Sequence, residues 1–80
     1  MKRSTISRFP DGTITQKYVN GYVFEGYADV KDEPLSGTLT TPNGEKYDIP
    51  DFKGEYIIDV INMIENGELK KYKRKDHETV

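Results

Sequence analysis

The stretch GTLTTPNGEKY, from Gly37 to Tyr47, predicts a β-hairpin. Threonine alternates with Leu39 on its first arm, and its centre carries Asn43-Gly44, the strongest short hairpin signal. An earlier stretch, GTITQKYVNGYVFEG at 12–26, repeats the order of Gly-Thr, an aliphatic residue, Thr, Asn-Gly and an aromatic residue. The sequence therefore predicts two similar hairpins.

Further turn signals divide the first half of the chain into short strands. FPDGT at 9–13 is typical of a tight turn, and KDEPLSG at 31–37 predicts a longer polar connection. The segments between the turns are rich in Thr, Val, Ile, Tyr and Phe, which suit a pleated surface. Because short turns join neighbouring strands, we expect an antiparallel meander. The strands are predicted near 4–9, 13–19, 22–30, 36–41 and 45–49.

The hydrophobic period changes after Pro50, and the segment 51–67 carries the apolar stripe of an amphipathic helix. We expect Asp51 to be its N-cap and Asn66-Gly67 its C-terminal stop. A strand through YIIDVI is the alternative, because Ile and Val are β-branched. The length of the stripe favours the helix. The stripe consists of Ile57, Val60, Ile61 and Ile64.

Alternation along the strands predicts which side chains share a face of the sheet. One face collects most of the large apolar side chains, and we expect this inner face to lie under the helix. The reverse arrangement stays open, since alternation does not decide which face is buried. The predicted inner residues are Ile14, Tyr18, Tyr22, Phe24, Ala28, Val30, Leu35, Leu39, Tyr47 and Ile49.

The sequence thus predicts an α+β fold. It would consist of an antiparallel β-meander of four to five strands, one amphipathic α-helix packed on the sheet, and a basic C-terminal tail. Eighty residues with 34% hydrophobic content are enough for one small domain with a thin core. We expect that domain to span residues 1–69, and residues 70–80 to form a partly disordered tail.

The composition argues against an enzyme. The chain has no cysteine, and its one histidine is His77, so thiolate zinc sites and histidine-based catalytic triads are nearly excluded. Carboxylates such as Asp32-Glu33 are expected to serve turns and solubility, because a small domain rarely has the shielded cleft that acid–base catalysis needs. We therefore predict no catalytic residue, no metal site and no cofactor.

The same composition predicts a cytoplasmic protein. No apolar run approaches the roughly 18 residues of a membrane span. Met1-Lys2-Arg3 is followed by polar residues rather than by the apolar segment of a signal peptide. The absence of cysteine fits a reducing compartment.

Charge is segregated along the chain. Residues 1–20 carry four bases and one acid, residues 21–68 carry three lysines and eleven acids, and residues 69–80 carry five bases and two acids. Such asymmetry concerns partners and encounter rates rather than the fold.

These features favour a non-enzymatic binding module that acts through a protein partner, as an adaptor or inhibitor of the kind carried by phages and mobile elements. The predicted contact surface is the strand face opposite Phe24, since tyrosine is a good interface anchor. It consists of Val23, Glu25, Tyr27 and Asp29.

The alternative is a small nucleic-acid-binding regulator, because bases interleaved with an aromatic residue can follow phosphates and stack a nucleobase. Its predicted contacts are Lys70, Lys71, Tyr72, Lys73, Arg74 and Lys75. Self-association through exposed strand edges is a third possibility.

Part of the chain, from Phe24 to Ile49, resembles the MORN repeat (membrane occupation and recognition nexus). That repeat opens with Tyr-Glu-Gly and continues with Gly-Thr, Pro-Asn-Gly and Tyr. Lys31 and Leu35 stand where the family has further glycines. The resemblance implies a hairpin scaffold for contact with protein or lipid headgroups. The matching residues here are Phe24-Glu25-Gly26, Gly37-Thr38, Pro42-Asn43-Gly44 and Tyr47.

Overall fold

The computed structural model of the chain describes residues 5–74, and it confirms the predicted α+β meander. One antiparallel sheet has the strand order β1-β2-β3-β4-β5, followed by one α-helix and a short 3-10 helix. The elements are β1 (Thr5–Arg8), β2 (Ile14–Lys17), β3 (Val23–Ala28), β4 (Pro34–Thr40), β5 (Lys46–Ile49), α1 (Ile57–Glu65) and the 3-10 helix Lys70–Tyr72.

The four turns that join the strands share one five-residue geometry. In each, the first N–H donates to the fifth carbonyl, and the fourth N–H donates to the first carbonyl, over 2.8 to 3.1 Å. The fourth residue has positive φ in every turn, between 65° and 95°. This is the three-residue hairpin loop in which a left-handed residue ends the turn. The turns span residues 9–13, 18–22, 29–33 and 41–45.

The residue at the fourth position explains why the sequence marks three of the turns clearly. It also explains why the sequence does not mark the 29–33 turn. Gly12, Gly21 and Gly44 fill it in three turns, which is where the sequence shows Asp-Gly or Asn-Gly. Asp32 fills it in the 29–33 turn, with φ of 65°. Asp tolerates this conformation better than most residues. The longer connection predicted at 31–37 is therefore wrong, and β4 begins at Pro34.

The predicted inner face is correct except at two positions. Val30 is 98% exposed because it lies in the 29–33 turn rather than on β3. Leu35 is 46% exposed because it is the extra residue of a β-bulge, where Tyr27 pairs with Ser36 and Ala28 pairs with Pro34. The bulge shifts the alternation by one residue, so the Pro34 side chain is buried instead.

The α-helix forms where the apolar stripe predicts it, but it begins later than expected. Its N-cap is Tyr56, which makes no side-chain cap hydrogen bond. The prediction of Asp51 as N-cap is wrong, because the Asp51 carboxylate accepts the Lys53 N–H in a preceding turn, at 2.8 Å. The first helical N–H, that of Ile57, donates instead to Glu33 Oε1 at 3.2 Å. A carboxylate from the 29–33 turn thus partners the helix start.

The C-terminal end of α1 confirms the predicted Asn66-Gly67 stop. The Gly67 N–H donates to the Ile64 carbonyl, and the Glu68 N–H donates to the Met63 carbonyl. Gly67 has φ of 80°, so this is a Schellman motif.

The helix packs on the predicted inner face of the sheet and closes a small core. Phe24 and Leu39 are completely buried at its centre, and the rings of Phe24 and Phe52 meet edge to face, with centroids 5.7 Å apart. The other buried apolar residues are Ile14, Tyr22, Tyr47, Ile49, Val60, Ile61 and Ile64.

Candidate functional site

The face of the sheet opposite α1 carries three of the four predicted contact residues. Val23, Glu25 and Tyr27 alternate with the buried Phe24 along β3, so they point away from the core. The Arg74 side chain reaches this face at its β5 edge, where the guanidinium contacts Thr38 and Asp48. We call this face the open face.

Tyr27 is the largest exposed apolar group of the open face. Its side chain is 51% exposed. Beside it, a Cβ placed on Gly12 would lie 3.7 Å from Tyr27 Cε1, so the 9–13 turn is in contact range of the ring. An aromatic ring that is supported on one side and exposed on the other can enter a partner's surface at little entropic cost.

Glu25 lies in the middle of the open face, between Thr15 of β2 and Thr38 of β4. Within residues 5–74 its carboxylate makes no ion pair and no side-chain hydrogen bond, and the residue is exposed. Its carboxylate is therefore available to a cationic group of a partner.

Asp29, the fourth predicted contact residue, has a different position. β3 ends at Ala28, and Asp29 opens the 29–33 turn. Its Oδ1 accepts hydrogen bonds from the N–H groups of Lys31, at 2.8 Å, and Glu33, at 3.0 Å. This carboxylate holds the turn together and is not brought into line with Tyr27.

The basic C-terminal residues that the structure describes lie along the free edge of β5. Lys73 forms a bridge with Tyr47, and the Arg74 N–H donates to the Lys46 carbonyl at 2.7 Å. Lys71 Nζ lies 5.2 Å from the centroid of the Tyr72 ring. Of the predicted nucleic-acid contacts, Lys75 lies outside the described residues.

Two of these bases are paired with acids of β5 and of the turn before it. Lys73 Nζ lies 3.2 Å from Glu45 Oε2. Arg74 binds Asp48 through two nitrogens, at 2.8 and 2.6 Å. The hydrogen bonds from Arg74 and Thr38 lower the pKa of Asp48 below its usual value. The sequence shows these bases as a charge run, but it does not show their partners, which lie 26 to 28 residues away.

No helix within residues 5–74 is long and apolar enough to cross a bilayer. The same residues bring together no group of His, Cys, Asp and Glu that could hold a metal ion.

Comparisons with known proteins do not assign the chain to a family. No family model matches the chain, and no curated protein or solved structure matches it significantly. The resemblance of the hairpins to MORN repeats therefore stays a prediction. What the structure defines is a small α+β protein whose sheet has one face under α1 and one open face.

Proposed function

We propose that this chain is a non-enzymatic binding module that acts through a protein partner and meets it with the open face of its sheet. One observation carries the proposal: Val23, Glu25 and Tyr27 stand in line on the side of β3 that α1 does not cover. An adaptor or inhibitor of cytoplasmic proteins, of the kind carried by phages, is the role that best fits a small cysteine-free domain.

The chemistry of the open face favours a partner with a flat, partly basic surface. Tyr27 would supply the apolar anchor, since buried tyrosines dominate the energy of many interfaces. Glu25 would pair with a Lys or Arg of the partner and speed the encounter. The serine and threonine hydroxyls of the neighbouring strands would provide the polar surroundings that interfaces carry.

The test is affinity capture with a double variant and a matched control. Glu25→Lys with Tyr27→Ala reverses the charge of the open face and removes its anchor. Glu55→Lys with Tyr56→Ala makes the same chemical changes at the start of α1, where Tyr56 is 62% exposed. Both variants should fold, because all four side chains are on the surface.

We expect the wild type and the Glu55/Tyr56 control to capture the same partner, and the Glu25/Tyr27 variant to lose it. Circular dichroism checks that each variant keeps its helix and sheet. If the Glu25/Tyr27 variant captures the partner as well as the control does, the open face is not the binding surface.

Nucleic-acid binding through residues 70–75 is the less well supported alternative. The charges of Lys73 and Arg74 are paired with Glu45 and Asp48, which reduces the positive potential available to phosphates. Nuclease treatment of the lysate separates the two proposals, because capture through the open face should survive it. A complex with DNA or RNA in a gel shift at low salt would favour the alternative.

A further inference from the structure

The chain contains three Asn-Gly dipeptides, and the backbone geometry around all three is nearly the same. In each, the Gly N–H donates to the carbonyl of the residue three positions earlier, over 2.9 to 3.0 Å. Each of these glycines has a positive φ, between 80° and 95°. A difference in reactivity between them must therefore come from the side chains and the surroundings. The dipeptides are Asn20-Gly21, Asn43-Gly44 and Asn66-Gly67.

Asn-Gly is a chemically reactive pair of residues. The backbone nitrogen of the glycine can attack the side-chain carbonyl carbon of the asparagine, because glycine has no side chain to hinder the approach. The carboxamide has to rotate toward that nitrogen before a bond can form. A hydrogen bond that fixes the carboxamide therefore slows the reaction.

The carboxamides of Asn20 and Asn66 are each held by a hydrogen bond. Asn20 Oδ1 accepts the N–H of Tyr22 at 3.1 Å. Asn66 Nδ2 donates to Glu68 Oε2 at 3.4 Å, and the Asn66 N–H donates to the Asn62 carbonyl in the last turn of α1. At both sites a hydrogen bond has to break before the carboxamide can reach the glycine nitrogen.

The carboxamide of Asn43 is not held in this way. Asn43 is exposed, and its side chain makes no hydrogen bond within residues 5–74. In the 41–45 turn, the N–H that corresponds to that of Tyr22 belongs to Glu45, and it donates to Thr41 Oγ1 at 3.1 Å. The Thr41 hydroxyl thus occupies the donor that would otherwise hold the carbonyl of Asn43.

The surroundings of the two hairpin glycines differ as well. A Cβ placed on Gly21 would lie 3.1 Å from both Cβ and Cγ of Pro42, so this glycine is packed against the neighbouring turn. A Cβ placed on Gly44 would meet no atom within 4 Å. The Gly44 nitrogen therefore has more room to move toward the carboxamide of Asn43.

We propose that Asn43 is a site of spontaneous deamidation in the folded protein. The Gly44 nitrogen gives its proton to solvent and bonds to Cγ of Asn43. The bond between Cγ and Nδ2 then breaks, and Nδ2 takes a proton from solvent and leaves as ammonia. Water opens the resulting cyclic imide at one of its carbonyl carbons. Opening at Cγ leaves an aspartate, and opening at the main-chain carbonyl carbon leaves an isoaspartate.

Both products change the turn that joins β4 to β5. An aspartate adds a negative charge close to that of Glu45. An isoaspartate leads the main chain through the former side chain and lengthens the turn by a carbon atom. Because the turn fixes the register of a hairpin, isoaspartate should weaken the pairing of Thr40 with Lys46. The modification thus acts on the stability of this hairpin.

Incubation of the whole chain at mildly alkaline pH, followed by peptide mapping with tandem mass spectrometry, tests the proposal. We expect Asn43 to deamidate about fivefold faster than Asn20 or Asn66, since those two must first break a hydrogen bond. In urea above the unfolding transition, the rates at the three sites should become similar. Equal rates in the folded protein, or the same difference in urea, would overturn the proposal.

A pair of threonine variants tests the structural cause. Thr41→Val releases the Glu45 N–H, which can then pair with Asn43 Oδ1, so deamidation of Asn43 should slow about fivefold. Thr40→Val makes the same change one residue earlier and leaves that N–H bonded, so it should keep the wild-type rate. Circular dichroism checks that both variants fold. An unchanged rate in folded Thr41→Val would mean that the Thr41 hydroxyl does not control the site.

Discussion

At the scale of single residues, a pair of glycines decides how closely β3 and β4 approach. Gly26 and Gly37 lie opposite each other. A Cβ at Gly26 would overlap the Ser36 carbonyl oxygen and lie 2.7 Å from Gly37 Cα and 3.1 Å from the Phe24 ring. The space above the pair is thus filled by Phe24, which is completely buried. These glycines allow the Phe24 ring to pack directly against the backbone of β3 and β4.

Two glycine substitutions should therefore differ strongly in their effect. Gly26→Ala should lower the free energy of unfolding by about 3 kcal/mol or prevent folding, because backbone atoms occupy the place of the new methyl group. Gly44→Ala should cost only about 1 kcal/mol, because nothing lies within 4 Å of its Cβ and only its positive φ is unfavourable. Urea unfolding measures both. Equal losses would mean that the glycine pair is not tightly packed.

The sequence shows some of these residue-scale features and hides others. Asn-Gly and Asp-Gly mark the turns, because few other residues take a positive φ without cost. Nothing in the sequence marks Gly26 and Gly37 as a pair, since their contact depends on the register of two strands. The sequence does not mark Asp32 as a turn residue, because glycine is the usual signal of a positive φ.

At the scale of elements, contacts from distant parts of the chain determine where each element begins and ends. Glu33 partners the start of α1, a role that the sequence assigned to Asp51. Helix caps are predicted from neighbouring residues, so a carboxylate 24 residues away cannot be recognised from sequence. The helix itself and its glycine stop were predictable, because the stripe and the Schellman motif are local.

The Arg74–Asp48 pair at the free edge of β5 is another contact between distant residues. Its contribution to stability should depend on pH. The pKa of Asp48 is lowered from its ordinary value of 3.8 by Arg74 and Thr38. The stability that this pairing contributes is present above the ordinary value and is lost as the pH falls through the lowered one. Because the pair is exposed, we expect the contribution to be at most about 1 kcal/mol.

Comparison with an asparagine variant isolates that contribution. Between about pH 5 and about pH 3, the free energy of unfolding should fall less in Asp48→Asn than in the wild type. Glu25→Gln removes a carboxylate that has no partner in residues 5–74, and it should keep the wild-type dependence. Urea unfolding at each pH gives the values. The same pH dependence in Asp48→Asn and the wild type would mean that the Arg74 pair adds no stability.

At the scale of the whole molecule, α1 covers one face of the sheet and leaves the other open, so the two faces differ. One face forms the core with α1, and the other presents Val23, Glu25 and Tyr27. Strand alternation predicted this division of residues, and the structure adds which face is buried. The sequence does not predict that Lys73 pairs with Glu45 and Arg74 with Asp48, because both pairs depend on where β5 lies.

Site-specific photo-crosslinking shows directly whether the open face contacts the partner. A photoreactive phenylalanine derivative replaces Tyr27 in one variant and Tyr56 in a second, both of which are exposed in the free protein. Each variant is irradiated in the lysate that yields the captured partner. We predict a covalent adduct with the partner from position 27 and none from position 56. An adduct from position 56 without one from position 27 would mean that the partner does not bind the open face.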